Sequence, residues 1–369
     1  MRYYLIAGER SGDMHGANLI KAIKQYDPDG QFRCFGGDAM QQAGAQLVVH
    51  YKNLAFMGFV EVLMNLRTIS RYMKQCKADL LANRPDALVL IDYAGFNLKI
   101  AAFAKKHNIK VYYYISPKVW AWNQKRALKI KRLVDHMYVI LPFEKAFYQR
   151  YDYTVEYVGN PLLDEVKSHK TNNQFTSRHN LHDKPILALL PGSRRQEVAK
   201  ILPVMLAAAT QLTSQYHVVV AAVNNLDDSF YTEARAAKGV TIITDETYDL
   251  LCHAHAAFVT SGTATLETAL FKVPQVVCYK TSAITAAIVR VLIRVPYISL
   301  VNLIANKLVV AELIQKACNP EALKKAMLHI TQGQGRQQLL NDYEALHAII
   351  GSSQPSDHTA RHITRTLGL

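Results

Sequence analysis

The chain has 369 residues, and 50% of them are hydrophobic, which suffices for two ordinary domains with a buried core in each. No apolar run reaches the roughly 20 residues that a membrane-spanning helix needs, and the amino terminus does not resemble a signal peptide. The five cysteines are widely spaced and form no C-x-x-C pair, which argues against a disulfide framework or a zinc site. We therefore infer a reducing cytoplasm.

The formal net charge of +14 is uneven along the chain, with +11 over residues 1–184 and +3 over residues 185–369. This asymmetry predicts an anionic partner for the first half, either a phosphorylated substrate, an anionic membrane surface or nucleic acid. Solubility alone is the simpler explanation of the same excess.

Short apolar runs alternate with helical patterns, which predicts parallel sheets built from βαβ units. In the first half we predict strands Tyr3–Ala7, Phe32–Phe35, Ala87–Ile91, Val111–Ile115, Met137–Leu141 and Val155–Val158, with helices Met14–Gln25, Val60–Ala82, Leu98–Lys106, Gln124–Leu133 and Phe143–Gln149. In the second half we predict strands Ile186–Leu190, His217–Ala222, Val240–Ile243, Ala256–Val259 and Gln275–Cys278, with helices Glu197–Leu212 and Thr263–Phe271. The expected fold class is α/β, with two Rossmann-like, doubly wound domains that face a central, ligand-binding cleft.

The domain boundary is predicted near Gly159-Asn160-Pro161, where a strand ends and glycine and proline punctuate the chain. This gives an N-terminal domain over residues 1–160 and a C-terminal domain over residues 161–345. Residues 346–369 are predicted to form a tail with a short final helix, which packs either on the N-terminal domain or on a second protomer.

Three strand-to-helix connections have the composition of anion-binding loops. The first is Gly8-Glu9-Arg10-Ser11-Gly12-Asp13, followed by His15 and Gly16. Its glycines permit close approach of a ligand to the backbone, and the start of the helix offers unpaired N–H groups. The spacing is not that of a dinucleotide-binding motif, and a plain turn with Ser11 or Asp13 as the helix cap is an equal alternative.

The second connection is Pro191-Gly192-Ser193-Arg194-Arg195, in which Arg194 can give a bidentate contact to phosphate. Two arginines at the start of a helix oppose its dipole, which favours an anion site over simple surface charge. The third is Ser261-Gly262-Thr263-Ala264-Thr265, followed by Glu267. Its hydroxyls and amides suit a pyrophosphate and Glu267 suits ribose hydroxyls, whereas the alternative is an ordinary helix cap.

Together these loops closely resemble those of the lipid-A-disaccharide synthase family, which is glycosyltransferase family 19 and has the GT-B fold. The resemblance runs from about residue 3 to about residue 345. It rests on the three loops and on Met57–Val62, Ser116-Pro117, Val119-Trp120-Ala121-Trp122, Leu141-Pro142-Phe143-Glu144, Gly159-Asn160-Pro161-Leu162 and Asn302-Leu303. The Trp120–Trp122 segment together with Met57–Val62 is the most specific part.

The resemblance implies an inverting hexosyltransferase that makes the lipid A disaccharide. The donor would be a UDP-2,3-diacylglucosamine, the acceptor a 2,3-diacylglucosamine 1-phosphate, and UDP the leaving group. Asp92, which ends a predicted strand, matches the family's functional aspartate and is the first candidate for the general base, although a helix cap is its alternative role. His15 is the second candidate.

The remaining predicted site residues follow from the same resemblance. Glu9 and Asp13 would orient the acceptor. The residues expected to bind substrate or UDP are Ser11, Gly12, Gly192, Ser193, Arg194, Ser261, Gly262, Thr263, Ala264, Thr265, Glu267 and Asn302. The sequence departs from the family at Arg10, where alanine is usual, and at Gly95, where a second aspartate often follows. Gly95 thus puts any helper carboxylate in doubt.

Neither a metal nor an organic cofactor is expected. His253 and His255 lack carboxylate companions, and Asp27-Pro28-Asp29 has the composition of a turn. Trp120 and Trp122 would either line an acyl or sugar pocket or pack in the core.

The resemblance implies a homodimer in the cytoplasm, attached peripherally to the inner face of the inner membrane. Residues 56–81 predict the attachment, because the apolar Phe56, Met57, Phe59, Val60, Leu63 and Met64 precede a basic stripe of Arg67, Arg71 and Lys74. An ordinary amphipathic helix explains the same pattern.

Two other functions stay open at this point. The first is another GT-B-like nucleotide-sugar enzyme, such as a UDP-sugar 2-epimerase. The second is a non-catalytic nucleic-acid binder that uses the basic stretch from Lys125 to Arg132. Three phosphate-type loops at strand ends argue against the second, and no nucleic-acid partner is predicted.

Overall fold

The computed structural model describes residues 1–53, 65–282, 295–351 and 354–369. The chain divides into two compact units. The N-terminal unit consists of Met1–Asp164 together with Ser352–Leu369, and the C-terminal unit is Glu165–Gly351. Within the described residues, no helix combines the length and the apolarity needed to cross a membrane.

The N-terminal unit is built on a seven-stranded parallel sheet in the order β3-β2-β1-β4-β5-β6-β7. Its strands are β1 (Arg2–Ala7), β2 (Gln31–Gly36), β3 (Gln46–His50), β4 (Ala87–Ile91), β5 (Lys110–Tyr114), β6 (His136–Val139) and β7 (Glu156–Tyr157). Its central strands are continuous apolar runs, because helices cover both faces of a doubly wound sheet. The chain order reverses between β1 and β4, which makes that junction the switch point.

Helices flank this sheet in the usual alternating order. They are α1 (Arg10–Tyr26), α2 (Asp38–Gln42), α3 (Leu66–Asn83), α4 (Ala94–Lys106), α5 (Val119–Trp122), α6 (Arg126–Leu133), α7 (Pro142–Gln149), α8 (Leu162–Ser168, whose last residues open the C-terminal unit) and, near the end of the chain, α17 (Pro355–Leu367). The final helix α17 packs along α1, and α3, α4 and α6 lie side by side.

The C-terminal unit repeats the plan with a six-stranded parallel sheet in the order β10-β9-β8-β11-β12-β13. Its strands are β8 (Ile186–Leu190), β9 (His217–Ala222), β10 (Val240–Thr244), β11 (Ala254–Thr260), β12 (Gln275–Tyr279) and β13 (Ala311–Ile314). Its further helices are α9 (Phe175–Arg178), α10 (Arg195–Ala209), α11 (Thr232–Ala236), α12 (Thr247–His253), α13 (Thr263–Leu270), α14 (Leu300–Ala305), α15 (Pro320–Thr331) and α16 (Gly333–Ile350). The switch point lies between β8 and β11.

The structure confirms the predicted α/β class and differs from the prediction at two edge strands and at the starts of several helices. Strands β3 and β13 were not predicted, because each is a short edge strand whose exposed or half-buried residues weaken the apolar signal. Helix α1 begins at Arg10, four residues before the predicted Met14, and α4 begins at Ala94, four residues before the predicted Leu98. The predicted helix Val60–Ala82 is observed as Leu66–Asn83, and residues 60–64 lie outside the described part of the chain.

Candidate active site

The first predicted loop and Asp92 lie beside each other at the switch point of the N-terminal sheet. Ala7 at the end of β1 pairs with Ile91 at the end of β4. The residues that follow, Gly8-Glu9 and Asp92-Tyr93, therefore leave the same edge of the sheet. This is the edge at which open α/β sheets bind their ligands.

Asp92 occupies a tightly constrained turn. Asp92 and Tyr93 both have left-handed backbones, with φ of 44° and 46°, which is a costly conformation for residues other than glycine. Buried groups hold this turn in place: the Asn97 amide donates to the carbonyl of Asp92 at 2.9 Å and to that of Ile91 at 3.2 Å, and the Tyr113 hydroxyl also donates to the Asp92 carbonyl.

The surroundings of Asp92 suit a proton acceptor. Burial raises the pKa of its carboxyl group above the ordinary value, and the negative charge of Glu9 raises it further. The charge of Lys118, the backbone amide of Tyr93 and the charge of His15 act in the opposite direction. A base whose pKa is moved towards neutrality accepts a proton more effectively at physiological pH.

Sequence reasoning missed Lys118, although its position carried a signal. It follows β5, whose residue Tyr114 pairs with Ile91 of β4, so the loops after the two strands are neighbours. Lys118 is exposed, yet its charge lowers the pKa values of both Asp92 and Glu144.

The predicted glycine loop was wrong in extent, because α1 already begins at Arg10 and only Gly8-Glu9 stays outside the helix. Glu9 is the cap residue, and neither Ser11 nor Asp13 has that position. The Ser11 hydroxyl donates to Glu9 at 2.7 Å. His15 is a buried residue in the second turn of α1.

Asp13 is buried, and its carboxylate serves the adjacent segment of the fold. It accepts hydrogen bonds from the backbone amides of Gly37, Ala39 and Met40 at 2.7, 3.0 and 3.2 Å. These amides belong to the start of α2, so Asp13 satisfies donors that a helix start leaves unpaired. The geometry supports a structural function for Asp13, while its predicted contact with the acceptor stays a prediction.

The glycines of this segment make room for protein atoms. A Cβ atom on Gly8 would lie 2.3 Å from the Tyr93 ring, and one on Gly16 would lie 2.0 Å from the end of Met40. A Cβ on Gly12 would lie 3.0 Å from that of Ala7. Gly8 thus lets β1 pass directly against the residue that follows Asp92.

The two tryptophans of the specific segment have different surroundings. Trp120 is buried, and its Nε1 donates to Glu144 at 3.0 Å. The other carboxylate oxygen of Glu144 accepts from the amides of Ile140 and Leu141 at 3.1 and 2.9 Å. Trp122 is 45% exposed, with the guanidinium of Arg126 4.4 Å from its ring centroid. Core packing therefore accounts for Trp120, whereas the ring of Trp122 lies at the protein surface.

Glu144 is a buried carboxyl group that its neighbours hold firmly. Burial raises its pKa to about 7, against the effect of three N–H donors and of the Lys118 charge. Ser116, from the same segment, is also buried, and its hydroxyl lies 2.7 Å from that of Tyr148.

The second and third predicted loops meet at the switch point of the C-terminal sheet. Leu190 of β8 pairs with Val259 of β11, so the loops that follow these strands are adjacent. Gly192 has a φ of 104° that favours glycine, and a Cβ there would meet the carboxylate of Glu197 at 2.6 Å. Ser193 and Arg194 are exposed, and Arg194 forms an ion pair of 3.1 Å with Glu197.

In the third loop, two of the hydroxyls bind protein carbonyls. Ser261 donates to the carbonyl of Ile298 at 2.9 Å, and Thr265 donates to that of Gly262 at 2.8 Å. Gly262 and Thr263 are exposed at the start of α13, and Ala264 is half-buried. The amides and the Thr263 hydroxyl at this helix start suit an anion.

Asn302 is a buried anchor. Its side-chain oxygen accepts from the amides of Val309 and Val310 at 2.8 and 2.9 Å, and its Nδ2 donates to the Val310 carbonyl at 2.9 Å and to Glu312 at 2.8 Å. These bonds use its full ordinary hydrogen-bonding capacity. Asn302 therefore fixes the segment between α14 and β13, and its predicted contact with UDP stays a prediction.

Glu312, on β13, is the partner that sequence reasoning missed. Its carboxylate accepts from the amides of Ile298 and Ser299, from the Ser299 hydroxyl and from Asn302, at distances between 2.7 and 3.2 Å. The Ile298 carbonyl in turn accepts from the Ser261 hydroxyl. Glu312 therefore holds the segment to which the third loop is bonded, and Asn302 is bonded to the same carboxylate.

Glu267 lies on α13, one turn after the loop. Its carboxylate accepts a 2.9 Å hydrogen bond from the hydroxyl of Tyr248, on the neighbouring helix α12. The residue is half-buried.

The two positions at which the sequence departs from the family lie at helix starts. Arg10 is exposed in the first turn of α1, and a Cβ on Gly95 in α4 would have no atom within 4 Å.

His253 and His255, for which no metal site was predicted, approach the carbonyls of Asn172 and Thr331 at 3.2 and 3.3 Å. Among the described residues, no three His, Cys, Asp or Glu side chains form a group that could hold a metal ion. The Met57–Val62 motif lies outside these residues.

Solved structures with this fold include an epimerase and a glycosyltransferase. The chain matches a Methanocaldococcus jannaschii UDP-GlcNAc 2-epimerase in complex with UDP-GlcNAc and UDP (TM-score 0.66, 14% identity, 99% of this chain and 100% of that one). It also matches CalG4, the calicheamicin glycosyltransferase (TM-score 0.63, 15% identity, 100% and 98%). At such identities the likeness shows the fold alone. The class that this fold defines is the GT-B class of glycosyltransferases and related epimerases.

The chain belongs to the lipid-A-disaccharide synthetase family, whose sequence profile matches residues 3–361. The lipid-A-disaccharide synthase of Syntrophus aciditrophicus is 42% identical over 345 residues, which cover 92% of this chain and 90% of that protein. The enzyme of the same name from a Coxiella burnetii strain is 38% identical over 352 residues, with coverage of 94% and 91%. These matches confirm the resemblance drawn from the loops.

Proposed function

We propose that the protein transfers a 2,3-diacylglucosaminyl group from its UDP donor to a 2,3-diacylglucosamine 1-phosphate, with inversion at the anomeric carbon and release of UDP. The observation that carries the proposal is the setting of Asp92 at the N-terminal switch point, within a protein of this family. The acceptor hydroxyl attacks the anomeric carbon as the bond to the UDP oxygen breaks, and the base takes the hydroxyl proton. Glu9, whose charge acts on Asp92, is proposed to orient the acceptor.

Asp92 is the proposed base, and Asp92→Asn tests it. The variant keeps the size and the backbone contacts of the turn, so folding should survive. Turnover should fall by a factor on the order of 100 or more, because a positioned base typically contributes that much. Near-normal turnover would reduce Asp92 to a turn residue and transfer the proposal to His15.

UDP is proposed to bind at the C-terminal switch point. The amides at the starts of α10 and α13, with Ser193, Thr263 and the Arg194 guanidinium, would hold the pyrophosphate, and Glu267 the ribose. Arg194 now pairs with Glu197 and would exchange that partner for phosphate. These fixed dipoles and this cation would also stabilise the charge that develops on the leaving UDP.

Two substitutions test the nucleotide site, with UDP as the ligand in calorimetry. Arg194→Ala and Glu267→Ala should each weaken binding by about 1.5–3 kcal/mol, the usual loss for a charged hydrogen bond. Arg235→Ala, an exposed arginine of the same unit paired with Asp228, is the control and should leave the affinity unchanged. Unchanged affinity in both test variants would place the nucleotide elsewhere.

An anionic membrane surface is the proposed partner of the N-terminal unit. Helices α3, α4 and α6 lie side by side and carry four, three and four Lys or Arg residues, against a single acidic residue, Asp79. Asp79 is turned towards Arg33, with which it forms a 2.7 Å ion pair. Arg67, Arg71 and Lys74 on α3 are all exposed. Each basic residue near an anionic bilayer contributes about 1 kcal/mol, so binding should be weak and salt-sensitive.

Vesicle sedimentation tests this surface. The protein should bind vesicles that contain phosphatidylglycerol at low salt and leave them as salt is added. The triple variant Arg67→Gln, Arg71→Gln and Lys74→Gln should bind less. A control variant should bind normally, because it removes three exposed lysines of the other unit: Lys238→Gln, Lys316→Gln and Lys325→Gln. Binding that ignores both salt and the α3 substitutions would remove this helix from the proposal.

The homodimer and the location at the inner face of the inner membrane belong to the same proposal. Both follow from the family alone.

A further inference from the structure

One phenol in the C-terminal unit lies between two carboxylates. The hydroxyl of Tyr248 is 2.9 Å from Oε1 of Glu267 and 3.2 Å from Oε2 of Glu165. The three residues come from three different helices: Tyr248 from α12, Glu267 from α13 and Glu165 from the part of α8 that opens this unit. The contact therefore depends on the packing of the helices and not on local sequence.

The phenol remains a hydrogen-bond donor at any physiological pH. Burial raises its pKa well above the ordinary value, and the negative charges of Glu267 and Glu165 raise it further. A protonated phenol has a single hydrogen to donate, and the shorter contact assigns it to Glu267.

The ring has rigid support. Its centroid is 5.1 Å from that of Phe271 and 5.5 Å from that of His169, which it meets edge-on at 90°. His169 is itself tied to Asp249 at 3.0 Å. A side chain that is packed on two sides can hold its hydrogen-bond partner in one orientation, which is the property that a preorganised binding site needs.

We propose that Tyr248 is a positioning residue that orients the carboxylate of Glu267 towards the ribose hydroxyls of the bound UDP group. This inference rests on the proposed nucleotide site. An ionised carboxylate has about four acceptor positions, so it can accept hydrogen bonds from a phenol and from ribose hydroxyls at the same time.

A thermodynamic cycle tests the inference: it compares the loss of the phenol from the protein with the loss of a ribose hydroxyl from the ligand. We would measure the affinities of UDP and of its 2′- and 3′-deoxy analogues for the full-length protein and for Tyr248→Phe by calorimetry. The wild type should prefer UDP over at least one analogue by about tenfold, as expected for a charged hydrogen bond. Tyr248→Phe should lose most of that preference and bind that analogue as the wild type does. Equal weakening of all ligands, or an unchanged preference, would overturn the proposal.

Two further variants separate the possible failures. Glu267→Gln should also lose the preference; if it does not, the ribose contact of the proposed function is wrong. If Glu267→Gln loses the preference and Tyr248→Phe keeps it, only the positioning inference fails. Tyr216→Phe is the matched control, because it removes one phenol from a buried tyrosine of the same unit and should change nothing.

Glu165→Gln provides a test that does not depend on the folding of Tyr248→Phe. It removes the negative charge of Glu165 and keeps the hydrogen bond from Tyr248 to Glu267, so the preference for UDP should persist. Loss of the preference while Tyr248 is intact would contradict the proposed donation.

Discussion

The side-chain amide of Asn97 donates to the backbone carbonyl of Asp92 at 2.9 Å. Through this bond a fully buried amide in α4 fixes a left-handed turn that would otherwise be costly for an aspartate. The proposed base is thus held by its backbone, and its carboxylate remains available for chemistry.

Asn97→Ala should therefore damage both stability and turnover. Loss of the bonds to the carbonyls of Asp92 and Ile91 should lower the free energy of unfolding by about 1–3 kcal/mol. We expect kcat to fall more than KM changes, because the turn loses its support while the binding residues remain. Chemical denaturation and steady-state kinetics measure both effects. The exposed Asn341 supplies the control, Asn341→Ala, which should be near neutral; equal effects of the two substitutions would refute the anchoring role.

Lys118 should set the acid limb of the pH profile. The proposed base works when it is deprotonated, and its raised pKa places the loss of kcat/KM at a higher pH than for an ordinary carboxyl group. The charge of Lys118 lowers that pKa, so Lys118→Met should move the acid limb further towards neutral pH. Lys99→Met, at an exposed position on α4, is the matched control and should not move it. An unshifted limb in Lys118→Met would separate Lys118 from Asp92.

Glu144 predicts a pH dependence of stability. Its pKa in the folded state is about 7, above the ordinary value of 4.5, so the folded protein retains a proton that the unfolded chain has lost. The free energy of unfolding should therefore decrease as the pH rises from about 4.5 to 7. In Glu144→Gln this component should be absent, although the variant should be less stable overall because its amide faces N–H donors. Denaturation of both proteins across this range gives the difference, and identical pH slopes would contradict the assignment.

Two glycines near Asp92 should respond in opposite ways to alanine. Gly8→Ala places a Cβ within 2.3 Å of the Tyr93 ring, so it should shift the turn and lower turnover sharply. Gly95→Ala places a Cβ in open space within the first turn of α4, and it should stabilise the protein by up to about 1 kcal/mol. Thermal unfolding and kinetics measure the pair. A tolerated Gly8→Ala would mean that Tyr93 can move without affecting Asp92.

The sequence predicted the elements that bury continuous apolar runs and missed those defined by side-chain networks. Strands β4 and β8 were predicted with their observed bounds, because each consists of five consecutive buried residues. Strand β13 was not predicted because its four residues are half-buried or exposed and one of them, Glu312, is charged. The use of that carboxylate becomes visible only when the fold brings it to Ser299 and Asn302.

The candidate site shows the same division. Motif spacing placed Asp92 and Arg194 just after strands and Glu267 one turn into a helix. The paired ends of β1 with β4 and of β8 with β11 then brought the loops together. Spacing could not reveal that Asp13 binds the backbone of α2 or that Tyr248 contacts Glu267, because these contacts join distant parts of the chain.

The most direct test of the central claim is the reaction itself. Purified protein would be incubated with UDP-2,3-diacylglucosamine and 2,3-diacylglucosamine 1-phosphate in excess EDTA, with the products followed by mass spectrometry. We expect equimolar UDP and tetraacylated disaccharide 1-phosphate, with both products formed more slowly by a factor on the order of 100 or more in Asp92→Asn. Release of UDP without disaccharide, or conversion of the donor to an epimer, would contradict the proposed reaction. A requirement for added magnesium would contradict the proposed stabilisation of UDP by Arg194 and the helix starts.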